Sequence, residues 1–110
     1  MVQRMGRVIG IKPGGIKRYK ELHANPWPET IEHLSARNIQ NFSIFLREPE
    51  NLLFSYWEYT GEDINADLAR TANDSRTKDW WRLTSPLQQP LDSRADGEWW
   101  SPMEKIFFAK

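Results

Sequence analysis

Between Arg4 and Ile11 the chain alternates in part, with β-branched Val8, Ile9 and Ile11, and stops at Lys12-Pro13-Gly14-Gly15. Alternation closed by such a turn predicts a strand. From Ile16 to Ala24 no breaker intervenes, and Ile16, Tyr19 and His23 share one face, which predicts a helix. Pro26 and Pro28 interrupt it. Proline suits the first turn of a helix, so Pro28 to Arg37 is expected to restart one, with Ile31 and Leu34 facing inward. Ile39 to Leu46 and Leu52 to Tyr59 read as strands, joined as a hairpin by Arg47-Glu48-Pro49-Glu50-Asn51. Helical spacing returns from Glu62 to Ala72 at Ile64, Leu68 and Ala72. Asn73-Asp74-Ser75 breaks it and offers a cap for further helix through Trp80, Trp81 and Leu83. Pro86 to Gly97 reads as loop, and Glu104 to Ala109 as a last strand around Ile106, Phe107 and Phe108.

The resulting order, β-α-β-β-α-β, is the ferredoxin-like α+β arrangement, and residues 1–110 suffice for one domain with one core. On the third strand Leu52, Phe54 and Tyr56 lie on one face and Leu53, Trp57 and Tyr59 on the other, so both faces are apolar. Two helices cover only one face of such a sheet. A second copy related by a two-fold axis would cover the other and give a dimeric α+β barrel. A small-molecule groove on that second face is the alternative, and the two are compatible.

Composition narrows the partners. Lys+Arg and Asp+Glu are equal at 15 each, which gives no net field to attract nucleic acid or an anionic membrane. RNA-recognition domains share the topology, but the basic Gly-aromatic strand signature is missing. There is no cysteine, so thiolate metal sites are excluded, and two scattered histidines make zinc binding an unpromising reading. No phosphate-cradling loop is present either. No apolar stretch reaches membrane-spanning length and no signal-like segment leads the chain, so a cytoplasmic protein is expected. The excess is aromatic: 13% of residues, with six tryptophans.

That excess bears on chemistry. Tyr19, His23 and Trp27 recur every four residues, placing Tyr19 and His23 about 40° apart on one helical face, from ~100° per residue. Imidazole titrates near neutrality, so it could pass a proton to or from a substrate stacked on the aromatics. The plainer reading makes Tyr19 a core residue and His23 a helix-end residue favoured by the dipole. His33 reads as solvent-facing. In the pairs Trp80-Trp81 and Trp99-Trp100 adjacent side chains diverge by about 100°, so at least one indole of each pair should be partly exposed or line a cleft. Sugar stacking and interface packing both use such indoles. Glu58, a carboxylate near the end of an apolar strand, fits simple strand-end exposure, and Glu29 and Asp79 are further carboxylates that could share proton work.

Tyr19-x3-His23-x3-Trp27-Pro28-Glu29, Asn41-Phe42-Ser43-Ile44-Phe45 and Asn51-Leu52-Leu53-Phe54 together resemble the L-rhamnose mutarotase family. Asp79-Trp80-Trp81 and Gly97-Glu98-Trp99-Trp100, leading into Met103-Glu104-Lys105-Ile106-Phe107, extend the resemblance from about Val8 to the C-terminus. It implies a cofactor-free homodimeric enzyme that interconverts the anomers of a 6-deoxy-hexose, with no metal. By the same resemblance His23 is the general acid/base, Tyr19 binds substrate, and Trp80 and Trp81 wall the sugar. The family's substrate tyrosine falls at Phe42, which removes one hydroxyl and leaves L-rhamnose and L-fucose both open as substrates. A dimeric α+β barrel monooxygenase, or a sugar-binding module without catalysis, are the other readings.

Overall fold

The computed structural model describes residues 2–110. Strand β1 (Gln3–Ile11) is followed by a 3-10 turn at Pro13–Gly15, then helices α1 (Ile16–Ala24) and α2 (Pro28–Ala36). Strands β2 (Ile39–Arg47) and β3 (Leu52–Tyr59) form the hairpin. Helices α3 (Ile64–Asn73) and α4 (Ser75–Thr84) lead through a second 3-10 turn to the short strands β4 (Gln88–Gln89) and β5 (Ser101–Met103). The sheet runs β2-β3-β1-β4 with β5 also on β1, and every pairing is antiparallel. This is the ferredoxin-like α+β order read from the sequence, with each helical stretch divided in two at the breaks the sequence predicts.

Local chemistry explains the divisions. Asn25 and Trp27 precede prolines and leave the helical region, Trp27 in extended backbone, which ends α1 and lets Pro28 open α2 at its first helical position. The Asp63 and Asp74 carboxylates cap α3 and α4, accepting from the N–H of Ala66 (3.1 Å) and Thr77 (2.8 Å).

The sheet pleat sorts the side chains. Odd-numbered residues of β1 and β3 face the helices, in cross-strand pairs such as Ile9 with Leu53 and Met5 with Trp57. They build two apolar clusters. One joins Ile9, Ile11, Tyr19 and Leu53, the other Ile39, Trp57 and Tyr59, with Met5, Leu34, Ile64 and Leu68 packed against it. Burying three fully enclosed side chains, Tyr59, Ile9 and Leu53, contributes roughly 1.5–3 kcal/mol each. The even-numbered face carries Val8, Phe54 and Phe45 in one cross-strand row, with Met103 opposite Gly6. No helix covers it: Phe45 is 62% exposed.

The last strand differs from expectation. Pairing with β1 falls at Ser101–Met103, and residues 104–110 run on without strand pairing. The Ile106-Phe107-Phe108 run has no alternation to seat it on one face of a sheet. Ile106 is 87% exposed, while Phe108 lies 3.7 Å from the Arg4 guanidinium. Ile31, expected inward, is 55% exposed at the rim of a cavity, whereas Leu34 does face the core. His33, expected in solvent, is half-buried with Nδ1 3.1 Å from Asp74 Oδ2. The loop expected over residues 86–97 contains β4, which pairs with Gly10 and Ile11.

Candidate active site: an aromatic-walled cavity

A cavity of about 870 Å³ opens between the helices and the odd-numbered face of the sheet. It falls within the ~300–1,000 Å³ usual for small-molecule sites. The groove expected on the other face is therefore not where the cavity lies. The even face carries an apolar row beside the Tyr56–Glu58 pair, whereas the cavity is lined by residues of both clusters on the helix side.

Tyr19 and His23 both line the cavity. Their ring centroids are 4.3 Å apart with planes at 28°, a stacked pair. His23 Nδ1 donates to the Tyr19 carbonyl oxygen at 2.9 Å. A carbonyl only accepts, so Nδ1 carries a hydrogen, and in the neutral ring it is Nε2 that holds the lone pair. Trp80 meets the imidazole edge-on at 5.5 Å. Trp27 packs edge-on against Trp80 at 5.3 Å and carries Arg76 3.6 Å above its ring. Trp27 thus supports a wall from behind and is not part of the lining.

Burial at Trp80 and exposure at Trp81 follow from their neighbouring positions on α4. Trp80 is buried, Trp81 stands half-open at the mouth, and both line the cavity. Trp99 and Trp100 line it as well, so both tryptophan pairs behave as expected from adjacency. Phe42 reaches the cavity through a β-bulge: Asn41 and Phe42 together oppose Trp57, with Asn41 at φ 53. Such a bulge re-aims side chains beside it. Asn41 turns away and donates to Glu58 Oε1 at 3.0 Å.

Residues the sequence reading passed over complete the site. Buried Gln88, on β4, donates from Nε2 to the Tyr19 hydroxyl (3.1 Å) and accepts from Trp99 Nε1 (2.6 Å) at Oε1. The Tyr19 oxygen is thereby an acceptor for Gln88, and its own hydrogen is free. Burial pushes the Tyr19 pKa above its usual value, with the Gln88 bond opposing, so the phenol stays protonated at neutral pH. Gln88 stands in a Pro-rich segment with no local signal of its role. Arg7 and Glu98 also line the cavity. Arg7 did leave a signal, since it shares strand parity with Ile9 and Ile11 and so faces inward. Burial lowers the Arg7 pKa, with Glu98 opposing.

The other carboxylates lie elsewhere. Glu58 accepts from the Tyr56 hydroxyl (2.7 Å) on the even face, Glu29 lies 3.8 Å from Arg76, and Asp79 pairs with Arg82. Among the described residues Glu98 is the carboxylate of the lining, and no cluster suits a metal ion. No helix among them is long and apolar enough to cross a membrane.

Fold and cavity together define a class: small α+β proteins with an aromatic-walled cavity beside a tautomer-fixed imidazole. Comparison with known proteins narrows the class to one family. The chain belongs to the L-rhamnose mutarotase family, whose model matches residues 4–109; mutarotases are isomerases that interconvert anomers. The L-rhamnose mutarotase of Mannheimia succiniciproducens is 36% identical over 99 residues, covering 81% of this chain and 92% of that one. That of Listeria monocytogenes is 32% identical over 88 residues, covering 80% and 82%. The crystal structure of L-rhamnose mutarotase from Formosa agariphila superposes with a TM-score of 0.77 over 98% of this chain and 99% of that one, at 24% identity. A NIPSNAP family protein from Agrobacterium tumefaciens shares the fold at a TM-score of 0.62 and 18% identity, over 84% and 88%.

Proposed function

We propose that the protein is a cofactor-free mutarotase that interconverts the α and β anomers of L-rhamnose in this cavity, the whole chain serving as one catalytic domain. The observation that carries the reading is the His23 tautomer. Nδ1–H is committed to the Tyr19 carbonyl, which leaves Nε2 as the basic atom among aromatic walls. His23 is the general acid/base, Tyr19 and Phe42 contact the sugar, and Trp80 and Trp81 stack on its C–H faces.

The steps balance without a co-reactant. Nε2 takes the proton of the anomeric hydroxyl as the C1–O5 bond breaks, and the ring oxygen receives a proton from the Tyr19 hydroxyl or the new imidazolium. The open-chain aldehyde rotates about C1–C2. Reclosure on the other face runs the transfers backwards and restores both groups. General acid–base help of roughly 10²–10⁴-fold is the scale such a site supplies.

The protein works as a homodimer in the cytoplasm, with the even face of the sheet as the interface. The apolar row Val8, Phe54 and Phe45, in which Phe45 is exposed and Val8 and Phe54 are half-buried, with exposed Met103 beside it, supports this reading. Phe42 brings no hydroxyl to the lining, so L-fucose is the sugar to compare. Saturation transfer between anomeric protons in NMR, on L-rhamnose and L-fucose, tests the proposal. Faster exchange on L-rhamnose supports it, and binding without acceleration would make the protein a sugar-binding module instead.

A further inference from the structure

Where the two apolar clusters part, the floor of the cavity is polar. Arg7 lies between Met5 and Ile9 on the inward side of β1, and its cross-strand partner is buried Ser55, between Leu53 and Trp57 on β3. A core-facing position in the middle of a sheet usually holds an apolar side chain. Here it holds a guanidinium whose Nε is buried without a hydrogen-bond partner. Among the described residues no carboxylate lies within 4.0 Å of it. The guanidinium carbon lies 5.1 Å from the centre of the Trp57 ring. A partly buried cation held this way is costly to the empty protein, and an apolar replacement of similar length would relieve that cost.

We infer that Arg7 determines sugar specificity, donating hydrogen bonds from its planar fork to ring hydroxyls of the bound sugar while Glu98 accepts from the same polyol. This rests on the mutarotase reading above. A hydroxyl both donates and accepts, so it suits a floor with one cation and one carboxylate. The pairing of charges also points to a neutral sugar, not a sugar acid. Lys20 lines the cavity too, but from an exposed position on α1. Hydroxyl configuration is what separates L-rhamnose from L-fucose, which differ at C2 and C4, and a rigid fork reads configuration where stacking indoles do not.

The test is steady-state exchange kinetics on both sugars for the wild type and Arg7→Met, with thermal melts alongside. The expected result is a KM for L-rhamnose raised roughly 10–100-fold, the worth of lost charge-assisted hydrogen bonds. The KM difference between the two sugars shrinks, and kcat stays within about threefold because the acid–base groups are untouched. Tm is unchanged or higher, which a structural role for Arg7 would not give. An active wild type with an Arg7→Met variant of unchanged KM overturns the inference alone. A variant whose Tm, kcat and KM all deteriorate together does the same, as does a hexuronate with a lower KM than L-rhamnose. A wild type that accelerates exchange on neither sugar overturns the mutarotase reading, and this inference with it.

Discussion

Replacing Gln88 by Leu removes the side chain that hydrogen-bonds β4 to both α1 and the Trp99 segment. Its amide makes two hydrogen bonds, 3.1 Å to the Tyr19 hydroxyl and 2.6 Å to Trp99 Nε1, and the residue is 5% exposed. Trp99 is partly exposed, so water can satisfy its N–H, but the Tyr19 oxygen is buried and would lose its donor. Losing such a partner costs about 1–3 kcal/mol. Unfolding entropy of ~2.1 cal/mol/K per residue over 110 residues gives roughly 0.23 kcal/mol/K. The melting temperature should therefore fall by roughly 4–13 °C. Without the Gln88 bond, which lowers the Tyr19 pKa, the phenol should also ionise at still higher pH. Calorimetry gives the first quantity and a spectroscopic tyrosine titration the second. A Gln88→Leu protein with wild-type Tm and an unmoved Tyr19 titration would refute the proposed link.

Alkaline pH should weaken the fold through the same phenol. Its pKa is raised above the reference 10.0, so the native state holds a proton that the unfolded chain releases first. Stability is then undiminished below pH 10 and lost as pH rises toward and through the folded value; a Tyr19→Phe variant whose stability declines as steeply above pH 10 would contradict this. Trp80→Ala should cost about 3–5 kcal/mol, since it removes the edge contacts to both His23 and Trp27; a melt within error of wild type would show that those contacts add little. A Cβ on Gly10 would sit 2.5 Å from the Gln89 carbonyl oxygen, so Gly10→Ala should displace β4 and, with Gln88, reduce activity; an unaffected rate would show that β4 tolerates the shift. Phe45→Glu on the uncovered row should yield monomers by light scattering, and an undiminished dimer would place the interface elsewhere.

How much of this was legible in the sequence depended on what was local. The end of α1 follows from the prolines and β3 from its apolar and aromatic run, which are properties of neighbouring residues, and the helical spacing of Tyr19 and His23 carries directly into a stacked pair. The β-bulge at Asn41 and Phe42 left no such trace, because it is set by pairing with β3. Gln88 was hidden for the same reason: its role exists only once β4 lies beside β1, sixty-nine residues from Tyr19 in the chain. The tail from Glu104 has the composition of a strand, but pairing with β1 stops at Met103, opposite Gly6. Arg7 was visible as a charge at an inward position, and only the gap between the two clusters gives that charge a purpose.

The central claim is that Nε2 of His23 moves the anomeric proton. Its most direct test is the anomer exchange rate of L-rhamnose with wild type and His23→Gln at matched concentration, with binding of the sugar measured on both. The account predicts a variant that still binds the sugar and exchanges it roughly 10²–10⁴-fold more slowly than wild type. A His23→Gln protein that folds, binds and exchanges the anomers at the wild-type rate would contradict it.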